Sequence, residues 1–287
     1  MTLAAEPLAR AAPPAAPGDA RGRALRRGAL ALLALGGVLA GAALLPPSAL
    51  GVDVSARALP PLPAHPFGTD MLGRDVAARS LAALALSVQV GLLAAACSTL
   101  IAVGLGLAAT LGRAADQAVG VLTELALGLP HFVLLIMIAF AAGGGAAGVI
   151  VAVAFTHWPR LARVLRHEAQ TLAASEAVEV SRALGRSRLW IARHHLAPPL
   201  VGQIVAGFVM IFPHAVLHEA GLSFIGLGIE PHLPSIGVML AESLREIMAG
   251  RWWVAAAPGL GLMLVALIFE RFGEALRRLG DREGLAT

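Results

Sequence analysis

Four of the nine histidines lie in or beside apolar segments, where ionisable side chains are rare and usually functional: His131, His157, His214 and His218. His214 and His218 are four residues apart, so a helix would place both on one face. Pro213 would free a backbone carbonyl next to them, and Glu219 follows directly. Because imidazole suits Ni²⁺, we predict a metal-contacting pair at His214 and His218. The alternative is that these histidines cap helix ends or form hydrogen bonds between helices.

The chain contains no lysine, since all 22 of its basic residues are arginines. A P-loop needs a lysine to reach the β- and γ-phosphates of ATP, so this chain cannot contain one. We therefore predict no catalytic residue and no bound cofactor, and any ATP must be hydrolysed by a separate subunit. The single Cys97 allows no internal disulfide.

The composition is that of a membrane protein. Hydrophobic residues make up 57% of the chain and charged residues 14%, whereas a soluble domain carries about 25% charged residues. We predict an all-α polytopic fold with six transmembrane helices and no soluble enzyme domain. Residues 1–27 are predicted to be a disordered tail, 28–271 the membrane domain and 272–287 a C-terminal tail. The six predicted spans are residues 28–45, 86–111, 119–141, 147–158, 199–218 and 252–269.

The arginines are distributed unevenly between the segments that flank these spans. If the N-terminus is inside, 17 of the 22 arginines lie on the inner side. The positive-inside rule then places both termini and the polar loop 159–198 in the cytoplasm. The arginines cluster at the ends of the predicted spans, so membrane topology and contact with lipid explain the high content of basic residues. We therefore predict no binding of nucleic acid.

The loop 159–198 is compatible with two short helices. Residues 161–184 can be helical with a break at Ser175, and Gly185 can end a helix by taking a positive φ. A second short helix is predicted over residues 187–196, before Pro198 opens the fifth span. From these residues alone, the loop is equally well a compact docking element or a solvated loop whose arginines fix the topology.

Residues Glu179, Gly185 and Pro198 keep the register of the coupling-loop motif found in ABC-importer permeases, which this loop resembles. Val180 and Ser181 stand where the family usually has two alanines. Segments 65–75, 219–228 and 234–240, together with Trp252-Trp253, resemble the C-type permease of peptide/nickel importers, in the same order along the chain. The likeness covers the chain from about residue 65 to its end.

This resemblance implies a type I ABC-importer permease in the inner membrane, with Glu179 and Gly185 as the positions that couple it to the ATPase. It also implies four kinds of contact: a second permease subunit, two ATP-binding subunits, a solute-binding protein and lipid. Thr156-His157-Trp158 is more similar to nickel-type members, so nickel or a metal chelate is the favoured substrate and a short peptide the alternative. An ion-coupled secondary transporter, with Glu124 as a proton relay, is a further alternative.

Overall fold

A computed structural model gives the structure of residues 17–283, except for the side chains of residues 17–21, 24 and 277–283. Within this range the chain is mostly α-helical and forms no β-strand, which confirms the predicted all-α class. The α-helices are α1 (Pro17–Ala43), α2 (Val76–Ala108), α3 (Arg113–Gly128), α4 (His131–Ala141), α5 (Gly145–Ala173), α6 (Glu176–Ala183), α7 (Arg188–Ile191), α8 (Ala197–Phe224), α9 (Ile236–Met248) and α10 (Trp253–Glu283).

Helix α2 lies at the centre of the bundle and packs against α5, α8 and α10, and less extensively against α1 and α9. Small residues make this packing possible. A Cβ atom at Gly106 would lie 2.8 Å from Cβ of Leu165 on α5, and a Cβ atom at Gly91 would press against Val216 on α8. The helix backbones can approach this closely only because glycine has no side chain at these positions.

Four described helices are long and apolar enough to cross a membrane: Leu25–Ala43, Val76–Leu111, Arg188–Phe224 and Trp253–Leu276. A fifth crossing is possible if α3 and α4 form one span, although the two helices meet at an angle of 99°. The break between them falls at Pro130, where the predicted third span contained its proline. The predicted number of six spans is therefore not confirmed by length and hydropathy.

Helix α5 extends beyond the predicted fourth span into the predicted loop, where the sequence already allowed a helix from residue 161 to the break at Ser175. We placed the end of the span at Trp158, but α5 continues through Pro159 to Ala173 and so occupies the first part of the predicted loop 159–198. Beyond the proline, Leu161, Leu165 and other small or apolar residues are buried at a helical period. This apolar stripe keeps the helix packed on the bundle although its outer face carries arginines.

Other predicted boundaries also differ from the structure. Helix α1 already begins at Pro17, within the predicted disordered tail, while residues 1–16 lie outside the described range. The segment between the predicted fifth and sixth spans contains the end of α8 and the whole of α9, whose N-cap is Ser235. The predicted C-terminal tail is helical as far as Glu283, since α10 continues beyond the predicted sixth span.

The segment before α2 is fixed by a buried ion pair. Asp70 accepts hydrogen bonds from Arg74 Nε at 2.7 Å and from Arg79 at 2.8 Å, and Arg79 also pairs with Glu242 at 3.0 Å. Asp75 caps α2 by accepting from the backbone N–H of Ala78 at 2.8 Å. The acidic and basic residues of the 65–75 motif therefore determine where α2 starts.

Candidate functional site

The segment between α5 and α8, which we call the coupling segment (residues 174–196), folds as two short helices around a glycine. Ser175 is extended, with φ −72° and ψ 150°, and separates α5 from α6, so the predicted break at this residue is confirmed. The predicted second helix over 187–196 consists of α7 followed by a π-helical turn, Ala192–Leu196, which runs directly into α8.

A small apolar cluster attaches the coupling segment to the bundle. Val178 of α6 is 1% exposed and Leu196 is 2% exposed, and the cluster packs against Leu107 at the end of α2 and Leu172 at the end of α5. Fully burying each such side chain contributes about 1.5–3 kcal/mol. The hydroxyl of Ser181 also lies 2.9 Å from Nε2 of His195, which joins α6 to the π-helical turn. The coupling segment is therefore bound firmly to the ends of three long helices.

Gly185 ends α6 in the way the sequence predicts. Its φ is +75°, in the left-handed region. The backbone N–H of Gly185 donates to the carbonyl of Arg182 at 2.9 Å, and that of Arg186 donates to the carbonyl of Ser181 at 3.0 Å. These two bonds form a Schellman motif, in which glycine is the preferred residue at the left-handed position. The turn sets the direction in which the chain leaves α6.

The outward surface of the coupling segment combines apolar and charged side chains. Val180, Leu184 and Leu189 are 58%, 74% and 77% exposed, and the side chain of Glu179 is also exposed beside them. Ser187 caps α7, and the guanidinium of Arg186 lies 4.7 Å from the centre of the Trp190 ring. Contiguous exposed apolar side chains with a charged rim are typical of a protein-binding surface.

A cavity of about 540 Å³ lies between α3, α4, α5 and α8. Most of its wall is apolar, as is usual for sites that bind small molecules. The polar side chains in its lining are His131, Thr156, His157, Arg160, Gln203, His214 and His218. Arg160 belongs to the part of α5 that the sequence placed in a loop, so sequence reasoning did not find it as a cavity residue.

The predicted histidine pair is only partly brought together. His214 and His218 both line the cavity, but His214 Nδ1 donates to the backbone carbonyl of Met210 at 2.9 Å. His218 instead lies with His131 and His157, whose rings come from α4 and α5. The centres of these three rings are 4.7–5.2 Å apart. Sequence spacing indicated His214 as the neighbour of His218, whereas the packing of α4 and α5 against α8 makes His131 and His157 its neighbours.

Two acidic residues singled out in the sequence lie away from this cavity. Glu124 is 72% exposed and forms an ion pair with Arg163 at 2.7 Å. Glu219 is fully buried in α8 and accepts a hydrogen bond from Ser223 at 2.7 Å. Neither residue is in a position to complete the histidine group.

Comparison with known proteins agrees with this architecture. A family model described as "Binding-protein-dependent transport system inner membrane component" matches residues 100–279. The "Dipeptide transport system permease protein DppC" of Bacillus subtilis (strain 168) is 33% identical over 235 residues, which are 82% of this chain and 73% of the relative.

A second relative is the "Probable D,D-dipeptide transport system permease protein DdpC" of Escherichia coli (strain K12). It is 32% identical over 231 residues, 80% of this chain and 77% of the relative. A solved chain of the MetNI methionine ABC transporter aligns at 19% identity and a TM-score of 0.49, over 68% of this chain and 93% of the solved one. The chain belongs to the family of inner-membrane components of binding-protein-dependent transport systems, and it is a multi-pass permease subunit of an ABC importer.

Proposed function

We propose that this chain is one of two permease subunits of an ATP-driven importer for short peptides. The observation that carries the proposal is the combination of family membership with two relatives that are both named for dipeptide transport. The sequence favoured nickel or a metal chelate as the substrate, but the relatives give that choice no support. The peptide alternative is therefore preferred.

The cavity has the chemistry that a short peptide needs. Arg160 offers a planar guanidinium that can bind a carboxylate through two hydrogen bonds. Gln203 donates one amide N–H to Glu168 at 3.1 Å, and its second N–H and its carbonyl oxygen can bind a peptide carbonyl and a peptide N–H. The surrounding apolar wall, which includes Leu161, Val164 and Ile211, accommodates side chains of varied shape.

The coupling segment is proposed to receive the force of ATP-driven closure. Its apolar cluster contacts Leu107 and Leu172, and its last turn continues into α8 without a break. Both α5 and α8 then line the cavity. A displacement of the coupling segment therefore moves two walls of the cavity together, which is what alternating access requires.

We further propose six spans with both termini in the cytoplasm. In this arrangement α3 and α4 form one bent span and the apolar first half of α5 forms another. The arginine distribution supports this orientation. A second permease, two ATP-binding subunits at the coupling segments and a solute-binding protein on the outer side would complete the importer. Because Glu124 is exposed and paired with Arg163, the proton-relay role that suggested an ion-coupled carrier loses its structural basis.

The test measures uptake of a radiolabelled dipeptide and of Ni²⁺ in cells from which the gene for this chain has been deleted. These cells are compared with the same cells after the wild type or the Arg160→Gln variant has been reintroduced. Removing a hydrogen bond to a charged group costs about 1.5–3 kcal/mol. We therefore expect the dipeptide concentration for half-maximal uptake to rise about 10- to 100-fold in Arg160→Gln.

Arg163→Gln is the matched control because Arg163 lies three residues further along α5 and pairs with Glu124 outside the cavity lining. It should leave peptide uptake unchanged at equal membrane level. If cells without the chain keep normal dipeptide uptake but lose Ni²⁺ uptake, the peptide proposal is wrong.

A further inference from the structure

Three histidines from three different helices converge in the cavity wall. His131 is the first residue of α4, His157 lies in the middle of α5 and His218 lies near the end of α8. One ring nitrogen from each of them lies within 4.8 Å of the other two. Such convergence requires that α4, α5 and α8 are packed in this particular arrangement, since no two of these residues are close in sequence.

The hydrogen bonds of His157 determine which of its nitrogens is free. Nδ1 lies 3.2 Å from the carbonyl oxygen of Val153, which can only accept. Nδ1 also lies 3.0 Å from Oγ1 of Thr156, whose own hydroxyl donates to the carbonyl of Ala152 at 2.8 Å. Nδ1 therefore carries the hydrogen, and Nε2 has the lone pair.

This lone pair is buried and has no hydrogen-bond partner among the described residues. A histidine that donates one N–H to a backbone carbonyl and leaves its other nitrogen without a partner beside further histidines has the orientation of a metal ligand. The carbonyl fixes the tautomer and increases the basicity of the free nitrogen.

We propose that His131, His157 and His218 bind one divalent transition-metal ion of the kind that prefers imidazole, such as Zn²⁺, Ni²⁺ or Cu²⁺. With metal–nitrogen distances of about 2.0–2.1 Å, the ligand nitrogens of a tetrahedral site are about 3.3 Å apart. The three nitrogens lie within 4.8 Å of one another, and His131 is exposed, so rotation of its side chain can bring the group closer around an ion.

Three protein ligands leave one coordination position open. All three histidines line the cavity, so the open position faces the space in which Arg160 and Gln203 also lie. It can hold water or an amine or carboxylate group of a molecule in the cavity. The metal site is independent of the proposed peptide substrate because it rests only on residues of this chain.

The experiment measures metal binding by the full-length chain in lipid nanodiscs, purified through a tag that contains no histidine. Co²⁺ serves as the spectroscopic probe, because a four-coordinate Co²⁺ ion absorbs visible light intensely. We expect one Co²⁺ per chain with this absorption, and displacement of Co²⁺ by Zn²⁺.

Replacing any one of the three histidines by Ala should weaken Co²⁺ binding by about 100-fold or more, since even the outer partners of metal ligands change affinity 10- to 100-fold. The most informative variant is His131→Ala, because His131 is exposed and its loss leaves the helix packing intact. His214→Gln is the matched control within the same cavity and should bind Co²⁺ like the wild type. Absence of Co²⁺ binding by the wild type, or unchanged binding by His131→Ala, would overturn the proposal. Loss of binding in His214→Gln would overturn the assignment of ligands to His131, His157 and His218.

Discussion

Replacing Gly185 tests whether the geometry of the coupling segment is required for transport. Gly185 has a φ of +75°, and no atom outside its immediate neighbours lies within 4 Å of the position that a Cβ atom would occupy. A side chain here therefore meets no steric obstacle from other elements. Within this chain, the effect of a substitution therefore comes from the backbone conformation.

The cost of that conformation can be assigned. A residue other than glycine in the left-handed region costs about 1–2 kcal/mol, and asparagine is the best tolerated. A difference of this size changes a population by a factor of about 5–30. Gly185→Ala should therefore reduce the fraction of correctly shaped coupling segments by about this factor. Gly185→Val should reduce it further, since β-branched residues are genuine outliers at positive φ.

The assay measures ATP-dependent dipeptide uptake and copurification of the ATP-binding subunits, both normalised to the amount of chain in the membrane. We expect Gly185→Val to lose both, Gly185→Ala to lose part of each and Gly185→Asn to retain most. Gly202→Val is the matched control, because Gly202 lies in α8 at an exposed position where a Cβ atom would also meet no neighbour, but its φ is not positive. If Gly185→Val transports as well as the wild type, the Schellman turn does not determine docking and the reasoning fails.

Three further outcomes follow from other parts of the structure. Leu189→Asp should abolish copurification of the ATP-binding subunits at normal membrane level, because Leu189 is 77% exposed on the coupling segment; unaltered copurification would place the docking surface elsewhere. Asp70→Asn should lower the stability of the chain in detergent by about 3–5 kcal/mol, since it leaves the buried Arg79 without its nearest counter-ion. This change is measured by thermal unfolding, and an unchanged midpoint would mean that Glu242 alone suffices for Arg79. A reporter fused after Arg186 should lie in the cytoplasm and one fused after Glu230 outside, and a cytoplasmic signal at the second site would contradict the six-span topology.

The sequence predicted the coupling segment better than any other part of the chain because local signals determine it. Ser175 adopts an extended conformation before α6, and Gly185 supplies the left-handed residue after it. Both effects act within a few residues and need no tertiary context. The side chains that attach the segment to α2 and α5 were not predicted, since Leu107 and Leu172 lie in other elements.

The sequence indicated that residues 161–184 can be helical with a break at Ser175, but it did not predict that this helix continues directly from the fourth span. The loop was placed at residues 159–198 because this segment is polar and rich in arginine. In the structure, however, the buried faces of Leu161 and Leu165 continue the contact with α2 and α8, and this burial outweighs the hydrogen bond lost at the proline. The spacing of four residues between these leucines was the sequence signal that could have indicated a continuous helix.

The histidine group shows the limit of spacing arguments in a helical bundle. A separation of four residues guarantees that His214 and His218 share a face, but it does not determine what each side chain contacts. His214 turns back to the carbonyl of Met210, while His218 meets His131 and His157. Which faces of α4, α5 and α8 meet depends on the packing of the whole bundle, so no pattern within one segment could have identified the trio.

The coupling segment and the cavity are connected through helices α5 and α8. Helix α5 leads from the cavity residues His157 and Arg160 to Leu172, where the apolar cluster of the coupling segment begins. The coupling segment then continues through Leu196 into α8, which returns to the cavity at His218. A continuous path of helices therefore joins the proposed docking surface to two walls of the proposed substrate site. An ion held by histidines of α4, α5 and α8 would connect these walls directly, so its binding and the movement of the coupling segment must influence each other.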